Sequence, residues 1–233
     1  MTQPPFETRE LRTKLQEYLN TKIDDPVSGK VKRLGSFKFG VYAFFDYDNE
    51  PIYVGQTAEG ISNRIGRHLT NQRTDAVAMK VLDPFEVFEV EVWPLSQYQD
   101  RSTGDAQARA HLNWLEHDIF KHFLGLSRFK AVLNEKNPLQ FPAGIFERPQ
   151  GNRGCIVSDA VFALRSHPDT RIARRAETLS LLAKVISERQ VQKGLRRTLL
   201  TQARRLAWLA ERRLEEFAGL PDDAEEPEKS LGG

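Results

Sequence analysis

Several features that would assign a protein to a special class are scarce in this sequence. Its 233 residues include a single cysteine, Cys155, so no internal disulfide can form, which favours a reducing compartment. No apolar run approaches the length of a membrane-spanning helix, and the first residues lack the basic-then-apolar pattern of an export signal. A cytoplasmic protein without a membrane partner is therefore expected.

A large excess of charge of one sign is also absent, because the formal net charge is only +2. The charge is unevenly distributed, however. Residues 145–218 contain 15 lysines and arginines against 8 acidic residues, whereas residues 40–144 and 219–233 each carry a net charge of −4. Such a basic segment could neutralise the phosphates of a nucleic acid, although arginine-rich exposed helix faces would give the same count.

The pattern of apolar residues predicts alternating helices and strands in the first part of the chain. Strand-forming residues on both sides of a polar turn predict a β-hairpin over residues 41–54. Helical spacing follows over residues 61–69 and 105–124, with a covered strand over residues 85–93 between them. This β-β-α-β-α order predicts an α/β fold with a small sheet whose first two strands are antiparallel.

The chain divides into four predicted segments. Residues 1–37 form a leading helix and a basic arm, and residues 38–144 form the α/β domain. Prolines and glycines then mark a boundary before a basic helical region, residues 145–218. The acidic residues 219–233 are predicted to be disordered.

The last predicted helix, residues 194–218, combines an apolar stripe with paired arginines. The stripe could provide a homodimer interface. The arginines beside it are candidates for contacts to DNA: Arg196, Arg197, Arg204 and Arg205.

Side chains suited to phosphodiester hydrolysis lie in the predicted α/β domain. This reaction needs a nucleophilic water, a proton acceptor and positive charge on the phosphate. Tyr42 and Tyr53 lie on adjacent predicted strands, and Arg64 and His68 share one face of the next helix. Glu116 lies within a helix among apolar neighbours. Taken singly, these residues could equally be strand aromatics, an exposed helix face and a surface ion pair.

Together the residues resemble the GIY-YIG nuclease superfamily over about residues 38–138. The matching positions are Gly40-Val41-Tyr42, Tyr53-Val54-Gly55, the Arg-x-x-x-His helix of Arg64 and His68, the metal-binding glutamate at Glu116, and Leu133-Asn134. The resemblance implies a small three-stranded antiparallel sheet flanked by helices. An α-helical C-terminal region is added to this fold.

The resemblance also implies a role for each polar residue. Tyr42 would be the general base or would orient the attacking water, with Tyr53 hydrogen-bonded nearby. Arg64 would contact the scissile phosphate, and His68 would assist proton transfer or orient a tyrosine.

A single metal ion is implied as well. Glu116 would hold one Mg2+ or Mn2+ per active site, which would stabilise the leaving 3′ oxygen. Asn134 would support the site by hydrogen bonding, with Asn137 as an alternative.

One position departs from the pattern. Gln56 stands where several relatives have lysine, so Arg67 or Arg73 would have to supply that lysine's contact. Both arginines are therefore candidates for contacts to DNA.

The activity implied is that of a metal-dependent DNA endonuclease. Restriction is the expected role, because the variant Gly-Val-Tyr…Ile-Tyr-Val-Gly resembles the restriction branch and the module lies between N- and C-terminal additions. Cleavage of both strands of a palindrome would require a two-fold dimer. Homing, repair-type incision and a non-catalytic DNA-binding role are the alternatives.

Overall fold

The computed structural model describes residues 6–70, 81–134, 137–142, 144–188, 191 and 193–218. The helices are α1 (Phe6–Leu19), α2 (Ile61–Thr70), α3 (Ala106–Leu126), α4 (Asp159–Arg165), α5 (Pro168–Glu188) and α6 (Lys193–Glu215). The strands are β1 (Lys22–Asp24), β2 (Val31–Arg33), β3 (Gly40–Phe45), β4 (Pro51–Thr57), β5 (Glu89–Pro94) and β6 (Asn152–Cys155). Among the described helices, none is long and apolar enough to cross a membrane. The predicted acidic tail lies outside the described residues.

The main sheet is antiparallel, with the strand order β4-β3-β5-β6. The predicted antiparallel sheet flanked by helices, with added C-terminal helices, is confirmed. The sheet has a fourth strand because β6 pairs along the free edge of β5. The predicted boundary at residue 144 therefore falls before the last strand of the sheet.

The side chains of β3 alternate between two hydrophobic cores, as expected for a strand covered on both faces. Val41, Ala43 and Phe45 pack on the side that carries α3, whereas Tyr42 and Phe44 pack on the opposite side. Buried residues of α1, α2, α5 and α6 complete that second core: Leu11, Ile61, Ile65, Leu182, Ile186 and Leu195. The C-terminal helices are therefore part of the core that surrounds Tyr42.

Four buried charged residues also join the C-terminal helices to the sheet. Arg175 of α5 donates from Nε to Glu86 at 2.7 Å and from Nη2 to Asp46 at 2.9 Å. Arg205 of α6 donates to the same Asp46 oxygen at 2.7 Å. We call these four residues the buried ionic cluster. None is more than 4% exposed, so the guanidinium of Arg205 is not accessible to a phosphate, and this placement argues against the predicted DNA contact.

Candidate active site

Two tyrosines and a histidine form the centre of the candidate site. The hairpin of β3 and β4 places Tyr42 and Tyr53 on the same face, with their rings stacked at a centroid distance of 6.4 Å. His68 of α2 packs on both rings, 5.8 Å from that of Tyr42 and 5.4 Å from that of Tyr53. Tyr42 is fully buried, and His68 is 2% exposed. The structure therefore brings together three of the predicted residues.

Gly55 makes room for the hydroxyl of Tyr42. The two residues are partners across the β3–β4 ladder. A Cβ atom added to Gly55 would lie 2.5 Å from the Tyr42 hydroxyl and 2.6 Å from its Cζ. Real Cβ atoms do not approach so closely, since packed interiors have no such free volume. The last residue of Tyr53-Val54-Gly55 is thus required by the position of Tyr42.

Burial and the charge of Arg64 have opposite effects on the pKa of Tyr42. Burial raises the pKa of Tyr42 well above its ordinary value, and the charge of Tyr53 adds to this, whereas the guanidinium of Arg64 acts in the opposite direction. Burial lowers the pKa of His68 to about 4, and the positive charges of Arg64 and Arg67 contribute. At neutral pH the cluster therefore contains a neutral phenol, a neutral imidazole and a cationic guanidinium.

Several buried polar atoms of this site have no internal partner. Among the described residues, both ring nitrogens of His68 and Gln56 Oε1 are buried without a hydrogen-bond partner, whereas the Tyr42 hydroxyl interacts with the Arg64 guanidinium. A buried polar atom left unpaired costs about 1–3 kcal/mol, and such atoms are uncommon in native proteins. A ligand bound at this site would satisfy the atoms of His68 and Gln56; other unpaired buried atoms lie on Arg165, Arg171 and Arg205, away from it.

Glu116 lies on α3 and contacts β4 through Gln56, the residue that follows Gly55. The Gln56 amide donates from Nε2 to Glu116 Oε2 and to Asn113 Oδ1, each at 2.9 Å. Burial raises the pKa of Glu116 to about 7, while the Gln56 hydrogen bond and the charge of Arg64 lower it. The charge of Glu116 raises the pKa of Tyr42, and Arg64 lowers the pKa of both groups, so the carboxylate lies within electrostatic range of the tyrosine cluster.

Sequence reasoning did not identify Asn113 and treated Gln56 only as a departure from the pattern. A signal for Asn113 was nevertheless present, because it precedes Glu116 by three residues and therefore shares its helix face.

The carboxylate of Glu116 fits a hydrated divalent cation. Within the described part of the chain, no group of three or more histidine, cysteine, aspartate and glutamate residues could enclose a metal ion. Mg2+ does not require such a cage, because it keeps several waters and is usually bound by one or two carboxylates and by substrate phosphates. Glu116 provides one carboxylate, and the unpartnered Gln56 Oε1 provides a neutral oxygen beside it.

Asn134 supports the strand that carries Tyr53. Its side chain accepts a hydrogen bond from Val54 N at 3.1 Å and donates from Nδ2 to Val54 O at 2.6 Å. The amide thereby replaces a neighbouring strand along the outer edge of β4. Asn137, the alternative, is exposed.

The predicted DNA-binding arginines lie in different environments. Those exposed on α6 are Arg196, Arg197 and Arg204. Arg67 is exposed and forms an ion pair with Glu59 at 2.7 Å. Arg205 lies in the buried ionic cluster, and Arg73 lies outside the described residues.

The sequence of the sheet and α2 matches a known family. Residues 38–102 match the GIY-YIG catalytic domain family, so this part of the chain is a GIY-YIG catalytic domain and the resemblance to the superfamily is confirmed. The matched segment contains Tyr42, Tyr53, Arg64 and His68. Neither a curated protein nor a solved structure gives a significant match. The match covers well under half of the chain and lies within the sheet and α2.

Proposed function

We propose that this protein is a divalent-metal-dependent endonuclease that hydrolyses the phosphodiester bonds of DNA in a restriction system. The Tyr42 hydroxyl, the Arg64 guanidinium and the unpartnered ring nitrogens of His68, all within electrostatic range of one another, support this proposal together with the Glu116 carboxylate. These groups provide a hydroxyl, a cation, a neutral imidazole and a carboxylate. Phosphodiester hydrolysis needs a proton acceptor and positive charge on the phosphate, which such groups can supply.

Each side chain has a task that follows from its protonation state. Arg64 binds a phosphate oxygen and balances the negative charge that develops on it. The raised pKa of Tyr42 keeps its hydroxyl protonated in the free protein, so the phenol orients the attacking water, or acts as base where added positive charge lowers that pKa. His68 is neutral at pH 7, and its lowered pKa makes it a weak base, so its imidazole orients the phenol or the water by hydrogen bonding. A cation bound by Glu116 would supply the charge that stabilises the leaving 3′ oxygen.

The packing of the C-terminal helices supports the restriction role over the homing role. A homing-type arrangement would have a separate DNA-binding tail, whereas α5 and α6 share the core and the buried ionic cluster with the catalytic domain. Much of the predicted apolar stripe is used in this packing, since Leu195 and Leu209 are at most 5% exposed. A homodimer would instead use Leu200 and Leu214, which remain exposed on α6.

Digestion of plasmid DNA with and without Mg2+ tests the proposed activity. The wild-type protein should cleave only with the metal, and Glu116→Gln should reduce the rate by about 100-fold or more, because it removes the metal-binding charge. Glu211→Gln, which alters an exposed glutamate of α6, should leave the rate unchanged. Cleavage that persists in Glu116→Gln would contradict the metal assignment.

The fragment pattern from the same digest separates the biological roles. A discrete ladder supports restriction, one or two rare cuts support a homing enzyme, and random degradation supports a nonspecific nuclease.

A further inference from the structure

The Gln56 side chain connects β4 to α3 through both of its amide hydrogens. An amide NH2 group has two donors, and here Asn113 Oδ1 and Glu116 Oε2 accept one each at 2.9 Å. Rotating the amide by 180° would place Gln56 Oε1 against the Glu116 carboxylate, which has no hydrogen to donate when ionised. The ionised form of Glu116 therefore favours the orientation in which the Gln56 amide donates to it.

The backbone at Gln56 is fixed as well. Gln56 pairs with Val41 in the β3–β4 ladder. On the helical side, Glu116 and Asn113 alternate along α3 with the fully buried Leu112 and Leu115. The backbones of both Gln56 and Glu116 are thus anchored in the core. The hydrogen bond between their side chains therefore restricts rotation of the Glu116 carboxylate.

One oxygen of this connection has no partner. Both amide hydrogens are used, and among the described residues nothing donates to Gln56 Oε1. A buried acceptor without a hydrogen bond destabilises the fold unless a ligand or a water molecule donates a hydrogen bond to it. The waters that Mg2+ retains on binding are hydrogen-bond donors, so a hydrated cation at Glu116 would satisfy this oxygen.

Charge explains why a neutral residue suits this position. A lysine here would also reach Glu116, but it would bring a positive charge that pairs with the carboxylate and repels a cation. Gln56 orients Glu116 through a hydrogen bond and adds no positive charge beside the carboxylate.

We infer that Gln56, held by Asn113, is a positioning residue for the divalent cation: it orients the Glu116 carboxylate and presents a neutral oxygen to the hydrated ion. This inference rests on the proposed function, because it assumes that Glu116 binds a metal. Hydrogen-bond partners of metal ligands change metal affinity by about 10–100-fold when they are removed. A change in this range is expected here.

Titration of the full-length protein with Mn2+, followed by electron paramagnetic resonance without DNA, measures binding separately from cleavage. Gln56→Met keeps the side-chain length but removes the donors and the acceptor, and it should weaken Mn2+ binding by about 10–100-fold. Gln56→Lys should weaken binding at least as much, because it adds a competing charge. Gln107→Met, an exposed change on α3, should have no effect.

Two further variants make the result unambiguous. Asn113→Ala leaves Gln56 in place but removes its second acceptor, so it should weaken binding less than Gln56→Met; it also serves as the test if Gln56→Met does not fold. Unchanged Mn2+ affinity in Gln56→Met, or in Asn113→Ala in that case, would overturn the inference. If the wild type itself binds no Mn2+, or Glu116→Gln binds it equally well, the proposed metal dependence fails instead.

Discussion

Replacing Arg175 with methionine should destabilise the fold strongly without touching the tyrosine cluster. The substitution removes the hydrogen bonds to Glu86 and Asp46 and a third to the backbone oxygen of Arg205 at 3.1 Å. The buried ionic cluster then holds two carboxylates and one guanidinium, and the further guanidinium of Arg171, 3.9 Å from Asp46, already pairs with Asp48. Removing one partner of a buried ion pair costs about 3–5 kcal/mol. Arg205 still contacts Asp46 at 2.7 Å and Glu86 at 3.4 Å, so we expect the lower end of that range, about 3 kcal/mol.

Urea denaturation followed by tryptophan fluorescence measures this change in the free energy of unfolding. Arg213→Met is the matched control, because Arg213 also joins α6 to α5 through Asp169 but lies at the surface. Exposed ion pairs contribute about 0–1 kcal/mol, so the control should lose no more than that. A double variant, Arg175→Met with Glu86→Gln, should regain part of the loss because it restores charge balance. Equal losses in Arg175→Met and Arg213→Met would refute the reasoning.

Three further outcomes are expected. Gly55→Ala should destabilise the protein by about 1–3 kcal/mol in the same urea assay, because its Cβ would overlap the Tyr42 hydroxyl; an unchanged midpoint would contradict the close approach. His68 has a pKa of about 4 against an ordinary 6.5, so the unfolded chain binds a proton that the native chain does not, and stability falls as the pH drops from 6.5 to 4. His68→Phe should show a smaller fall over this window when unfolding is measured at pH 7 and pH 4.5, and an identical fall would argue against a buried neutral imidazole. Residues 1–144 expressed alone should show no cooperative thermal unfolding, since β6 and the core contributions of α5 and α6 are missing; a sharp transition would show that the catalytic domain folds independently.

The tyrosine cluster could be predicted from sequence because its residues lie on local elements with clear patterns. The hairpin and α2 follow from turn residues and apolar spacing, and these elements alone bring Tyr42, Tyr53 and His68 together. Glu116 required the resemblance to a family, since nothing local relates position 116 to position 42. Gln56 was noticed for the residue it replaces, and only the structure shows the carboxylate that it contacts.

Contacts between distant segments were the part that sequence could not provide. Arg196 and Arg205 lie on the same helix, and both belong to an arginine pair in the sequence. Arg196 is exposed, whereas Arg205 is buried against Asp46, 159 residues away along the chain. Counting charges cannot separate these two environments. Strand β6 was missed for a related reason: Asn152-Arg153-Gly154-Cys155 has no apolar alternation, and its extended form depends on pairing with β5.

The side-chain amide of Asn134 has a consequence for the behaviour of the protein at high concentration. β4 is an outer strand of the sheet, and outer strands present unpaired backbone groups to which a second chain can add. Asn134 occupies both backbone groups of Val54, and Leu133 N donates to Ile52 O at 2.8 Å beside it. The strand that carries Tyr53 can therefore lie at the edge of the sheet and still be a poor template for intermolecular β-pairing and aggregation.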